Sequence, residues 1–375
     1  MKKCRVCGQL LYQDPILTLE DMPSVAQYLP DDITKDNDHS VNLEVYQCQN
    51  CGLVQLRIPP VEYYREVIRA TSVSEEMTLY RQNQFKNFVN QYNCEKILEV
   101  GCGAGEYLAI MAKFCEKSYG IEFNDNNIQQ CKKRNLNVTK MYIEDEFVKI
   151  PNAPFDSFYI LNYLEHIPNI VEFLTGVRNN LTDMAVGLVE VPNFDMMIKQ
   201  NLFSEFIPDH LYYFTKESLQ FTLNYCGFEV LDIGDTWHDY IISATVRKRN
   251  KLDLKLFKDS VNTMSDSINS YVAKYKDVAV WGAGHQAFAI LSLAKLSEKI
   301  KYIVDSADFK QGKLSPATHI PIVSPEYFRN NPTSAIIIMA GSYSSEIVDI
   351  VKSFNLPKLN IAVVEGNNLK IIQEV

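Results

Sequence analysis

Two short knuckles, Cys4-Arg-Val-Cys7-Gly8 and Cys48-Gln-Asn-Cys51-Gly52, bring four thiols into a pattern that suits a metal ion. Two C-x-x-C pairs supply four soft ligands for tetrahedral Zn(II), and a fully thiolate shell leaves no open position for substrate or water. A zinc ion held by Cys4, Cys7, Cys48 and Cys51 is therefore expected to be structural, with an iron–sulfur cluster as the lesser alternative. Each following glycine lets the backbone turn tightly after the second thiolate. His39, in the polar stretch 31–40 between the knuckles, reads as a loop histidine and not as a fifth ligand.

A second chemical pattern begins with the apolar run Lys96-Ile-Leu-Glu99-Val100, followed by Gly101-Cys-Gly103-Ala-Gly105. Strand, glycine turn and helix let a ligand approach the backbone closely, and the helix start offers free N–H groups. Glu122 closes the next apolar run, Lys117 to Ile121, where a carboxylate can accept hydrogen bonds from both hydroxyls of a ribose. Dinucleotide and S-adenosylmethionine sites share this arrangement. Glu144 or Asp145, after the third strand, could reach the adenine edge.

Proton-transfer chemistry is offered by two further stretches, Leu164-Glu-His166-Ile-Pro and Phe206-Ile-Pro-Asp209-His210-Leu-Tyr212-Tyr-Phe. Histidine titrates near neutral pH and serves as a general base for an acidic hydroxyl or for a carbon beside a ketone. His166, Asp209 and His210, two histidines and an acid near one sheet edge, are the candidates for removing a proton and for steadying the oxyanion that results. The remaining four histidines read as ordinary structural side chains.

The elements that must position these groups alternate. A polar helix over Ser74 to Tyr92 leads into strands at 96–100 and 117–121, with later strands at Thr139–Ile143, Phe155–Leu161 and Met184–Val191. Such alternation predicts an α/β fold with a parallel sheet covered on both faces. The charged stretch from Lys251 to Tyr275 predicts a connecting helix. Beyond it, Asp277-Val-Ala-Val-Trp281, Gly282-Ala-Gly284 and strands at Ile300–Val304, Ala335–Met339 and Leu359–Val364 predict a second α/β unit. The expected organisation is a zinc module over 1–72, a cofactor domain over 73–250 and a Rossmann-like domain over 251–375 covering the substrate. Gly282, Gly284 and Asp305 leave a nicotinamide site open as an alternative, although Ala287 stands where a third glycine is usual.

With 375 residues, 46% of them hydrophobic and 22% charged, the chain is long enough for several cores. A net charge of −9 argues against a nucleic-acid partner, which needs a basic face. No run reaches the roughly 18 apolar residues of a membrane span, and the N-terminus has no apolar signal core. A cytoplasmic location with reduced cysteines is the expectation, as a monomer or small homo-oligomer.

Glu99-Val-Gly101-Cys-Gly103-Ala-Gly105 resembles the E-x-G-x-G-x-G signature of class I S-adenosylmethionine methyltransferases, whose leading acid lies near the methionine end of the cofactor. The whole chain resembles the C-methyltransferases of nucleotide-linked keto-deoxysugars, which join a four-cysteine zinc module, a class I methyltransferase domain and a C-terminal Rossmann-like domain. The stretch after Asp305, with Lys310, Gly312 and Ile-Pro-Ile-Val-Ser-Pro325, is similar to that family's C-terminal motif, with Ala317 where glycine is usual. The resemblance implies that His210 takes a proton from the carbon beside a sugar ketone, oriented by Asp209, while His166 or Tyr212 stabilises the enolate oxygen.

Three positions depart from the family pattern: Asp209 replaces glutamate, Arg69-Ala-Thr71 lacks a tyrosine, and Gln286 stands where many relatives carry lysine. They leave the sugar and the choice between C- and O-methylation open. Ribosomal RNA methylation and a non-catalytic sensor of S-adenosylmethionine are the rival functions; acidic charge opposes the first, His166 and Asp209-His210 the second.

Overall fold

The computed structural model describes residues 2–27, 29–66 and 73–375, so the departure at Arg69–Thr71 lies outside the described residues. The chain folds as two compact units, 1–250 and 251–375.

In the first unit, strands β1 (Leu17–Pro23), β2 (Ser40–Gln47) and β3 (Val54–Leu56) form an antiparallel meander behind the knuckles. Helix α1 (Glu75–Tyr92) starts at Ser74, whose side chain accepts from the N–H of Met77, and stops at Asn93, which adopts the left-handed conformation at φ 52°. Then follow β4 (Lys96–Val100), α2 (Glu106–Met111), β5 (Lys117–Glu122), α3 (Asp125–Lys133), β6 (Asn137–Lys140), β7 (Phe155–Leu161), α4 (Ile170–Asn179), β8 (Leu181–Pro192) and α5 (Phe194–Gln200). A two-residue strand, β9 (Tyr212–Tyr213), precedes α6 (Lys216–Tyr225), β10 (Phe228–Thr236) and β11 (Ile241–Lys248).

The large sheet has the order β10-β11-β8-β7-β4-β5-β6. Its β8-β7-β4-β5-β6 part is parallel, as expected, and β11 runs antiparallel to both of its neighbours, β8 and β10. Alternation along the strands sends Leu98, Val100, Phe158 and Ile160 into one core layer, and Ile97, Tyr159 and Leu188 into another beneath Phe85 of α1. A buried ion pair between Arg81 and Glu190 joins α1 to β8. The third parallel strand, β6, is earlier and shorter than expected, and its last ladder bond is the N–H of Met141 donated to the carbonyl of Glu122.

β9 is not part of that sheet. It pairs with β3, through Val54 with Tyr213 and Gln55 with Tyr212, so the small sheet reads β1-β2-β3-β9. A segment distant in sequence thus completes the meander behind the knuckles.

The second unit contains α7 (Lys255–Val272), β12 (Val278–Trp281), α8 (His285–Leu293), β13 (Ile300–Val304), β14 (Ile322–Val323), α9 (Pro325–Asn330), β15 (Ala335–Ile338), α10 (Ser344–Ser353), β16 (Asn360–Glu365) and β17 (Asn368–Gln373). Its sheet order is β14-β13-β12-β15-β16-β17, parallel except for β17. Consecutive apolar strands such as Ala335–Ile338 are buried on both faces, as a sheet covered by helices requires. No helix among the described residues is long and apolar enough to cross a membrane.

Candidate active site

The knuckles are near copies of one another. Gly8 and Gly52 both sit at φ 71°, and their N–H groups donate back to the carbonyls of Cys4 and Cys48. Sγ of Cys4 lies 3.7 Å from that of Cys51, and Sγ of Cys7 lies 3.5 Å from that of Cys48, with all four atoms within 4.8 Å. A tetrahedral zinc with bonds of about 2.3 Å needs sulfur separations of about 3.8 Å, so the donor set fits the ion. The N–H of Val6 and Nε2 of Gln55 both point at Sγ of Cys4, and the N–H of Asn50 points at Sγ of Cys48. Such donors favour the thiolate form that zinc binds.

At the carboxyl edge of the large sheet, the turn after β4 carries three glycines with φ of 75°, 55° and 82° at Gly101, Gly103 and Gly105. A side chain on Gly101 would come within 2.6 Å of the Tyr163 ring, which lies over the turn. Glu122, buried at the end of β5, accepts from the N–H groups of Gly103, Phe123 and Asn124 at 2.8, 2.9 and 2.8 Å. Backbone donors on both oxygens fix this carboxylate against the glycine turn. Glu99 is buried as well and accepts from the hydroxyl of Tyr159 at 3.0 Å. Two fixed carboxylates at one glycine turn match the chemistry of S-adenosylmethionine, an ammonium at one end and a ribose diol further on.

Segment 61–66 lies across the same edge. Asn124 donates to Glu66 at 2.7 Å, and the Tyr163 hydroxyl donates to the carbonyl of Arg65 at 3.0 Å. The Arg65 guanidinium sits among the rings of Tyr64, Phe123 and Tyr142. It also pairs with Glu144 at 3.2 Å, so the acid expected at the adenine edge is half-exposed and engaged by a cation.

The two candidate histidines meet. Their ring centroids are 4.8 Å apart and nearly perpendicular, with His166 on the loop after β7 and His210 just before β9. Nδ1 of His166 is 2.9 Å from the backbone carbonyl of Asp209. Because a carbonyl only accepts, Nδ1 carries the hydrogen and Nε2 keeps its lone pair. Burial lowers the pKa of His166, partly countered by the Asp209 charge; burial and then the neighbouring His166 hold His210 well below the usual histidine range. Both rings are accordingly neutral near pH 7, the form in which histidine accepts a proton.

Two expectations need correcting here. The Asp209 carboxylate does not reach His210: Oδ1 accepts from the Tyr63 hydroxyl at 2.7 Å and Oδ2 from the N–H of Ala26 at 3.0 Å. Tyr212 does not face the histidines as an oxyanion donor: strand alternation turns it into the core at 1% exposure, and its hydroxyl is spent on the carbonyl of Pro168 at 3.0 Å. Tyr63 is the phenol that reaches this site, lining a small cavity of about 80 Å³ with Asn162, Tyr163, His166, Ile207 and Asp209. Nothing in its local sequence distinguishes it, since it is brought in by tertiary contact alone. Glu165 was likewise hidden inside a loop motif.

In the second unit a cavity of about 630 Å³ opens at the carboxyl edge of β12, β13 and β15. Gly282 is required there by packing, because a side chain would strike the Met339 carbonyl at 2.5 Å. Asp305 accepts from the N–H groups of Ala283 and Ala307 and from Nζ of Lys310 at 2.8, 2.9 and 3.0 Å. Ala317 has φ 60°, the left-handed conformation that explains why glycine suits its place.

Three segments of the chain match known family models. Residues 4–61 match a family model for a zinc binding domain, 69–233 a methyltransferase domain and 246–357 a C-methyltransferase C-terminal domain. The C-methyltransferase NovU of Streptomyces niveus is 23% identical over 390 residues, covering 94% of this chain and 92% of the relative. Among solved structures, an S-adenosylmethionine-dependent methyltransferase of Clostridium acetobutylicum aligns at 13% identity and TM-score 0.38, covering 46% of this chain and 92% of the other. The N-methyltransferase NodS of Bradyrhizobium japonicum aligns at 12% identity and TM-score 0.37, covering 48% and 100%.

Proposed function

We propose that this chain, an S-adenosylmethionine-dependent methyltransferase whose segments match the zinc binding, methyltransferase and C-methyltransferase C-terminal models, methylates a carbon beside the ketone of a nucleotide-linked deoxysugar. The observation that carries the proposal is the meeting of two neutral histidines, His166 and His210, at the sheet edge that holds Glu99, the glycine turn and Glu122. A carbon acid next to a ketone needs a neutral base, and the imidazole of His210 can supply it.

In this reading His210 takes the carbon-bound proton, leaving an enolate whose negative charge lies partly on oxygen. His166, its ring held by the Asp209 carbonyl, packs edge-on against His210 and keeps the base in place. Glu122 and Glu99 hold the cofactor by its ribose and its ammonium, and S-adenosylmethionine when bound supplies an electrophilic methyl group. Asp209 acts indirectly, tied by Tyr63 and Ala26 so that its carbonyl stays on His166.

Incubation with methyl-labelled S-adenosylmethionine and a panel of nucleotide-linked keto-sugars tests the substrate: label should move to sugar carbon. Transfer to RNA alone, or to none of these acceptors, would sink the reading. In deuterated water, His210→Ala should abolish exchange of the sugar's α-proton while cofactor binding persists; exchange at the wild-type rate removes His210 as base.

A further inference from the structure

One ionisable group at this site has no part in the chemistry above. Glu165 occupies a single turn of 3-10 helix, Leu164–His166, and is 1% exposed. Its backbone carbonyl accepts from the N–H of Leu211, which ties the turn to the residues just before β9. Oε2 has no hydrogen-bond partner, and Oε1 lies 3.8 Å from Nε2 of His166. Carboxyl oxygen and ring nitrogens of Glu165, His166 and His210 fall within 4.8 Å of one another.

The hydrogen-bond assignment makes this arrangement unusual. Nδ1–H of His166 is donated to the Asp209 carbonyl, so the nitrogen facing Glu165 is a bare lone pair. An ionised Glu165 would set a buried negative charge against that lone pair, with no Lys or Arg paired to it among the described residues. A buried charge without a partner costs several kcal/mol, whereas one proton between the two acceptors satisfies both.

We propose that Glu165 is a positioning residue held un-ionised, its carboxyl O–H donated to Nε2 of His166, so that the ring beside His210 is clamped from both nitrogens. Asp209 holds Nδ1 at 2.9 Å, and the Glu165 carboxyl, 3.8 Å from Nε2 and just beyond hydrogen-bond length, would close on the second nitrogen by a small turn of its side chain. The clamp fixes the tautomer and the plane of His166 without adding charge to a site that must later accept a proton on His210. The neighbours fit this neutral role. His166 and His210 are themselves held neutral by burial; the Asp209 charge is tied to Tyr63 and Ala26; Tyr240, which feels the Glu165 carboxyl, donates to Glu205 at 2.6 Å. Burial alone raises the acid to about 8, in keeping with a proton retained at neutral pH.

The role of the clamp in turnover rests on the proposed carbon-acid chemistry, but the protonation state does not, and the two are tested separately. In the resting protein, infrared difference spectra of wild type minus Glu165→Gln at neutral pH should contain the carbonyl stretch of an un-ionised carboxyl. Its absence, with a carboxylate band in its place, overturns the proposal whatever the substrate proves to be. A second tightly bound metal ion that disappears in Glu165→Gln would also overturn it, by making the carboxylate a ligand.

Turnover supplies the other arm. Glu165→Ala removes the donor and should lower kcat up to about tenfold. Glu165→Gln, whose amide N–H donates at every pH, should restore most of that loss and should lack the alkaline fall in kcat expected of wild type as pH passes about 8. If Glu165→Gln is as impaired as Glu165→Ala while both still bind S-adenosylmethionine, or if the alkaline fall persists in Glu165→Gln, the clamp is wrong.

Discussion

The Tyr63 hydroxyl donates to Oδ1 of Asp209 at 2.7 Å, and through the backbone of Asp209 this contact reaches Nδ1 of His166. The segment that follows the zinc knuckles therefore sets the position of a group at the sheet edge of the methyltransferase. Tyr63→Phe leaves a buried carboxylate one donor short. We expect a stability loss of about 1–3 kcal/mol and a fall in kcat without a matching change in S-adenosylmethionine affinity. Denaturant unfolding and calorimetric titration measure the two, and a mutant that loses only affinity would contradict this placement.

The histidines make an acid-side prediction. Both have folded-state pKa values below the ordinary histidine value of 6.5, so the unfolded chain binds more protons than the folded one as pH falls. Their contribution to stability is complete above 6.5 and is lost as pH drops through 6.5 towards the folded values. His210→Gln should flatten this part of the stability profile, measured by denaturant unfolding across pH. An identical slope in mutant and wild type would show that His210 is not held neutral by burial.

Zinc removal should be felt at the histidines. β3 lies directly after the second knuckle and pairs with β9, two residues beyond His210. Cys48→Ser, or prolonged chelation, should remove one zinc per chain and abolish methyl transfer together, by metal analysis and activity assay. A zinc-free protein with full activity would refute the coupling.

Glu122 is held by three backbone N–H groups beside the glycine turn. Glu122→Ala should weaken S-adenosylmethionine binding by roughly 10- to 100-fold, the loss of one or two charge-assisted hydrogen bonds. Calorimetric titration decides it; affinity within twofold of wild type would remove Glu122 from the ribose role.

Ala317 holds a left-handed conformation that costs an L-residue about 1–2 kcal/mol and costs glycine nothing. Set against the greater freedom of glycine in the unfolded chain, Ala317→Gly should stabilise residues 251–375 by up to about 1 kcal/mol. A lowered melting temperature would contradict the assigned conformation.

Much of this was legible because it is local. Strand Lys96–Val100, the glycine turn and Glu122 follow from apolar runs and residue types within thirty positions of one another, and each knuckle is legible in five consecutive residues. Contacts made only by tertiary packing were not legible. Tyr63 has no distinguishing neighbours, β9 is too short to have a period, and the role expected of Tyr212 fell to alternation that turns it inward. The Asp209–His210 dipeptide suggested an orienting contact, but adjacent side chains diverge, and the acid found its donors in Tyr63 and Ala26 instead.

The β3–β9 pairing has a consequence during synthesis. Val54 and Gln55 leave the ribosome early, yet their strand partners, Tyr213 and Tyr212, follow only after five of the seven strands of the large sheet have been made. Until then β3 presents an open edge, a ready template for wrong pairing. The knuckles can close around their ion long before the sheet is sealed, so early metal loading would guard a half-built edge while the nascent chain catches up.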